Sequence, residues 1–126
     1  MSLYLDSSAL VKLVADEPES AALQVIVGGA SLVSSEIARV EVARAARRHA
    51  AEDVGRELLD RLFEVELTAE ILEAAAAAEP PELSSLDAIH LASALANSDG
   101  IDAFVAYDER LLAAAEAAGL AVASPA

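Results

Sequence analysis

Residues 3–13 read LYLDSSALVKL: three apolar residues, an aspartate, two serines, and then apolar positions that continue at helical spacing through Leu10, Val11, Leu13 and Val14. Leu3, Tyr4 and Leu5 have the pattern of a short buried strand that feeds a helix. Asp6, at the junction, has two explanations. Aspartate and serine oxygens accept hydrogen bonds from the free N–H groups of a helix start, so Asp6 can be a turn or capping residue. An acid at the carboxyl end of a central strand also stands where open α/β sheets place their ligands. Alone, the stretch favours the cap, and the remainder of the chain has to decide.

Outward from this stretch, short apolar runs alternate with helical patterns. The spacing predicts strands over 2–5, 30–35, 63–67, 101–108 and 120–124. It predicts helices over 7–15, 20–27, 36–49, 51–62, 68–79, 84–98 and 109–119. Pro80 and Pro81 stop one helix and Gly119 closes another. Such alternation predicts an α/β protein with a parallel sheet covered by helices on both faces. No internal repeat or long linker divides the chain, so one domain over 1–126 is expected.

Composition narrows the chemistry. The 126 residues are 56% hydrophobic and contain no cysteine, which excludes disulfides, thiolate metal sites and cysteine nucleophiles. No uncharged run approaches the ~18–20 residues that span a bilayer. Neither does the N-terminus have a basic segment followed by a long apolar one, so a cytoplasmic protein is expected. The formal net charge of −14 argues against general affinity for nucleic acid. Yet six of the eight basic residues lie between Arg39 and Arg61, and ARAARRH (43–49) brings together Arg44, Arg47 and Arg48. One basic stripe on an acidic body can bind a polyanion locally. A solvated helix face is the plainer account, and these arginines are not expected to share one helix face.

Most of the 22 acids must lie on the surface. Asp6 and Asp108 each end a strand, and in a parallel sheet both ends lie on one edge. Asp87, in LSSLDAIHLASAL (83–95), follows Ser84 by three residues and fits a capping box. The apolar helix behind it should nevertheless be buried, which aims its N-terminus into the interior or a cleft. Glu41, in SSEIARVEVARAARR (34–48), lies beside a core face expected to hold Ile37 and Val40; pairing with Arg44 or Arg48 is its plainer role. Four converging carboxylates repel, and a hard divalent cation such as Mg2+ or Mn2+ would reconcile them. Such a centre activates water and clamps a phosphate for in-line displacement.

Four motifs, LYLDSSALVKL, SSEIARVEVARAARR, LSSLDAIHLASAL and FVAYDERLLAAAEAAGL, in this order and at these separations, resemble the PIN-domain family. The likeness is greatest to the VapC toxins of toxin–antitoxin pairs, and it covers residues 2 to about 123. The resemblance implies a three-layer α/β/α, Rossmann-like fold around a central, mainly parallel five-stranded sheet. It implies a Mg2+- or Mn2+-dependent endoribonuclease that cleaves cellular RNA and arrests growth. The family's acidic quartet falls on Asp6, Glu41, Asp87 and Asp108, with Asp6 and Asp87 as first metal ligands. Glu41 would ligate directly or through water, or help deprotonate the attacking water, and Asp108 would complete the site or hold a second cation. Ser7 matches a small hydroxyl residue that often follows the first acid, and Ser7, Arg44, Arg47 and Arg48 are candidates to contact RNA. The resemblance also implies a homodimer silenced by a cognate, VapB-like antitoxin, through which alone the protein would meet DNA.

One departure is Ala106, where many relatives carry Thr or Ser two residues before the last acid. His90 reads as a satisfied core histidine, and His49 as a helix-end residue favoured by the dipole. ALQVIV (22–27) and LLDRLF (58–63) are candidate partner surfaces, expected mainly to pack in the core. Other phosphate chemistry fits poorly: a haloacid-dehalogenase-like phosphatase needs a second acid where Ser8 stands, and a receiver domain needs a lysine late in the chain, whereas the only lysine is Lys12. The remaining alternative is a catalytically inactive PIN-like domain that binds a protein or RNA without cutting it.

Overall fold

The structure, a computed structural model, describes residues 1–126. Strand β1 (Ser2–Leu5) leads into α1 (Ser7–Val14) and α2 (Ser20–Val27), and β2 (Ser31–Ser35) into α3 (Ala38–Arg48) and α4 (Glu52–Arg61). Then follow β3 (Leu62–Val65), α5 (Ala69–Ala76), α6 (Ser85–Leu95), β4 (Ala103–Val105), α7 (Glu109–Ala117) and β5 (Val122–Ala123). All five strands pair in parallel, in the order β3-β2-β1-β4-β5. The α/β architecture expected from the sequence is therefore present. No helix is long and apolar enough to cross a membrane.

The period-two alternation of β1 divides the core. Leu3 and Leu5 face one way, into a cluster with Leu10, Leu23, Val42, Leu58 and Val105 from the strands and α1–α4. Tyr4 faces the other way, into a cluster with Leu91, Phe104, Leu111 and Leu120 beneath α6 and α7. Each large side chain buried this way contributes ~1.5–3 kcal/mol. α5 packs outside α6 through Ile71, Ala75, Ala88 and Ala92.

Three expectations need correction. The buried face of α3 consists of Ala38, Val42, Ala45 and Ala46, while Val40 is 59% exposed and Ile37 precedes the helix as its cap. Small residues define this face because α4 approaches closely: a Cβ on Gly55 would meet the Ala46 Cβ at 2.7 Å. Secondly, β4 covers only Ala103–Val105, and α6 ends at Leu95, with a separate 3-10 turn over Ser98–Gly100. Thirdly, the stretches 22–27 and 58–63 are divided: Leu23, Val27, Leu58 and Leu62 are buried, whereas Val25 and Phe63 are exposed.

The strand order reverses at β1, which has β2 on one side and β4 on the other. In open α/β sheets this switch point opens a crevice beyond the carboxyl ends of the strands. Asp6 follows β1 there, and Asp108 lies just beyond the end of β4.

Candidate active site

Asp6 extends the β1–β4 ladder by one bond, its N–H donating to the Val105 carbonyl at 3.2 Å. Its Oδ1 caps α1, accepting from the Ala9 N–H at 3.0 Å and the Ser8 hydroxyl at 2.7 Å. Both readings of this residue therefore hold together: it caps a helix and is only 1% exposed at the crevice. Oδ2 accepts no hydrogen bond from the chain. Burial, with a smaller contribution from Asp87, raises the carboxyl above the ordinary aspartate range, against the pull of Ala9, Ser8 and His90.

Glu41 stands one turn into α3. The Ser7 hydroxyl donates to its Oε2, and His90 Nε2 lies 2.9 Å from its Oε1. Neither Arg44 nor Arg48 pairs with it, so the plain surface role fails. Burial alone would raise this carboxyl. The hydrogen bond and electrostatic pull of His90, helped by Ser7, outweigh burial and hold it below the ordinary glutamate range.

Asp87 lies in the first turn of α6, where Ser84 Oγ accepts its N–H at 3.1 Å. Only half of the expected capping box forms, because the carboxylate does not accept the Ser84 N–H. Burial raises this carboxyl, and Asp108 and Glu41 raise it further. Asp108 is exposed and caps α7, with Oδ1 accepting the Leu111 N–H at 3.0 Å. Asp87 and Asp108 line one cleft of about 660 Å3 with Ser84, Tyr107 and Arg110. Another cavity, about 520 Å3, is lined mainly by alanine and leucine from α5, α6 and α7 and lacks convergent polar groups.

The four acids thus form one electrostatic group centred on Asp87, which feels Asp108 and Glu41 and is felt by Asp6. No three of them close into a ready-made protein cage for a metal ion. Mg2+ does not require one, since it usually keeps several waters and takes one or two carboxylates. A buried carboxylate with one oxygen free of donors, facing a second acid of raised pKa, fits that requirement.

Sequence reasoning missed two participants, Ser8 and Arg110, and the partner of a third, His90. Ser8 bridges Asp6 Oδ1 and the Tyr107 N–H, the latter at 3.1 Å, and so supplies a hydroxyl to the first acid. Ala106, in contrast, is fully buried in the core and offers none. The second serine of DSS was the only signal of this. Arg110 places a cation at the acidic cleft, and nothing in the sequence marked it. His90 is the satisfied core histidine expected, but its partner is a site acid. Arg44, Arg47 and Arg48, expected on different faces, line one cavity together and make no ion pair. Positions i, i+3 and i+4 share a helix face.

Comparison with known proteins agrees with this fold. The PIN domain family matches residues 3–117. The chain is 40% identical over 127 residues to Ribonuclease VapC46 of Mycobacterium tuberculosis, covering 98% of each. Among solved structures it resembles M. tuberculosis VapC20, described as a sarcin-ricin loop cleaving toxin, with a TM-score of 0.73 at 19% identity and coverage of 98% and 99%. It also resembles a chain of a toxin–antitoxin complex from Klebsiella pneumoniae, with a TM-score of 0.70 at 20% identity and coverage of 100% and 98%. At such identities the structural likeness concerns the fold.

Proposed function

The chain belongs to the PIN-domain family, and on that premise we propose that it is a metal-dependent endoribonuclease, the VapC-type toxin of a toxin–antitoxin pair. It acts in the cytoplasm as a single domain over 1–126 and arrests growth by cleaving cellular RNA. The observation that supports this reading is that Asp6 and Asp108 lie beyond the carboxyl ends of adjacent parallel strands, with Asp87 lining the same cleft as Asp108 and Glu41 tied to α1 through Ser7. A domain used only for binding has no need of four repelling carboxylates there. The identity to Ribonuclease VapC46 supports the activity.

Asp6 and Asp87 are the residues that hold Mg2+ or Mn2+, and Asp108 completes the site from the cleft wall. A bound divalent cation supplies charge neutralisation at the phosphate and a more acidic water. Glu41, ionised and fixed by Ser7 and His90, would ligate that ion directly or through its water, or help take the water's proton. Lys12 is engaged by Glu17 and Glu19. Arg110 stands at the acidic cleft itself, and the cations offered to RNA phosphates beyond it are Arg44, Arg47 and Arg48, with Ser7 beside the acids. A second copy of the chain and a VapB-like antitoxin are the proposed protein partners, and DNA is met only through the antitoxin. The Klebsiella toxin–antitoxin complex of the same fold supports such a partner, and the exposed Val25 and Phe63 offer apolar contact area.

The test is cleavage of total cellular RNA by purified, antitoxin-free protein. Discrete fragments should form with Mg2+ or Mn2+ and not with chelator. Absence of cleavage, together with absence of growth arrest on expression, would favour the binding-only alternative. The arginines are tested separately. Affinity for single-stranded RNA falls with salt by a slope of about −0.7 per neutralised phosphate, so replacing all three with glutamine should flatten the slope by about 2. An unchanged slope would remove them from the RNA surface.

A further inference from the structure

We propose that His90 is a positioning residue for Glu41, set in its working orientation by the hydroxyl of Tyr4. The inference rests on the nuclease reading above and extends it to residues that touch neither metal nor RNA. His90 is fully buried. Its Nε2 lies 2.9 Å from Glu41 Oε1, and its Nδ1 lies 2.8 Å from the Tyr4 hydroxyl. The Tyr4 ring stacks on Phe104 at 5.4 Å and meets the His90 ring edge-on at 5.8 Å.

Donor accounting gives the chain a direction. An ionised carboxylate only accepts, so Nε2 must carry the proton that Oε1 receives. In a neutral ring Nδ1 is then an acceptor, and the Tyr4 O–H must donate to it. Ser7 donates to the other oxygen, Oε2. Glu41 on α3 is thereby clamped between α1 and α6, one donor to each oxygen, with its carboxylate plane fixed and a lone pair left on each atom. Packing alone does not call for this arrangement. A leucine at 90 would fill the same core without burying polar groups, which are costly unless every one is satisfied. A buried network that ends on a site acid is what aiming that acid requires.

The test begins on metal-free protein labelled with 15N-histidine, which has only two histidines, one of them exposed His49. His90 should report a single Nε2–H tautomer, and Tyr4→Phe, which keeps the ring stack, should leave that tautomer in place but shift the Nδ1 resonance as its hydrogen bond is lost. Mn2+ titration followed by electron paramagnetic resonance should show binding about tenfold weaker in His90→Leu. Affinity should largely recover in His90→Gln, whose amide reaches a similar donor position. Cleavage should fall in kcat with KM for RNA unchanged. A folded His90→Leu with wild-type Mn2+ affinity and kcat would overturn the proposal. Should that variant not fold, Tyr4→Phe decides: unchanged Mn2+ affinity overturns the proposal, and weaker Mn2+ binding with a shifted Nδ1 resonance upholds it. Wild-type protein that binds no Mn2+ would sink the metal reading instead, while the histidine spectrum still judges the clamp.

Discussion

Asp6→Asn is expected to lower RNA cleavage by roughly a thousandfold, about 4 kcal/mol of transition-state stabilisation, and at the same time to stabilise the metal-free fold at neutral pH. The two effects come from different atoms of one side chain. Oδ1 caps α1 through the Ala9 N–H and receives the Ser8 hydroxyl, and an asparagine oxygen does this equally well. What the substitution removes is the charge, which in the metal-free protein is buried beside another acid with no cation to match it. Each kcal/mol recovered raises the melting temperature by about 4 °C. Thermal unfolding with and without Mn2+, beside the cleavage assay, checks both arms. The variant should melt higher than wild type without metal and gain little when metal is added. A variant that melts lower and is inactive would mean that Asp6 serves chiefly as a cap.

The second large effect is a pH dependence that metal reverses. Asp6 and Asp87 are raised above the ordinary aspartate range, chiefly by burial. For a carboxyl raised in the folded state, folding takes up protons between the unfolded and folded values. The stabilisation is complete below the ordinary aspartate range and is lost as pH rises through the raised values. Glu41 is lowered, so its contribution has the opposite sign: present above the ordinary glutamate value, lost as pH falls through its folded value. Metal-free protein should therefore be most stable under mildly acidic conditions and weaken toward neutrality. Mn2+ binds the ionised acids, so its stabilisation should grow across the same interval. At a hundred times the dissociation constant it amounts to about 2.7 kcal/mol. Urea unfolding from pH 4 to 8, with Mn2+ and with chelator, measures this. Parallel curves in the two conditions would exclude metal binding at these carboxylates.

The elements of the fold were legible because burial on two faces leaves strong periodic signals in β1 and the helices. Boundaries failed where polar contacts from elsewhere decide them. The run 101–108 reads as one strand, but the Tyr107 N–H turns to Ser8 Oγ instead of to a neighbouring strand. The buried face of α3 was misread because alanine carries little hydrophobic signal, although close approach of α4 at Gly55 demands it. For the site, each acid was visible as a residue whose surface role was weak. How they meet was not, because only topology places residue 6 near residues 87 and 108. His90 shows the limit most plainly. Its place one turn beyond Asp87 is local and readable, whereas its partners Tyr4 and Glu41 come from other elements.

The strand order also sets when this chain becomes dangerous to its maker. β1 emerges first from the ribosome, yet one of its two flanking partners is β4, about a hundred residues later. Asp6 therefore waits, with half its sheet missing, until Val105 has been synthesised, and Asp108 does not exist before then. Such long-range pairing is slow to close. At a synthesis rate of about 5–20 residues per second, the nascent chain spends several seconds with no assembled site beside the RNA of the machine that is making it. Any silencing partner has that interval in which to be present.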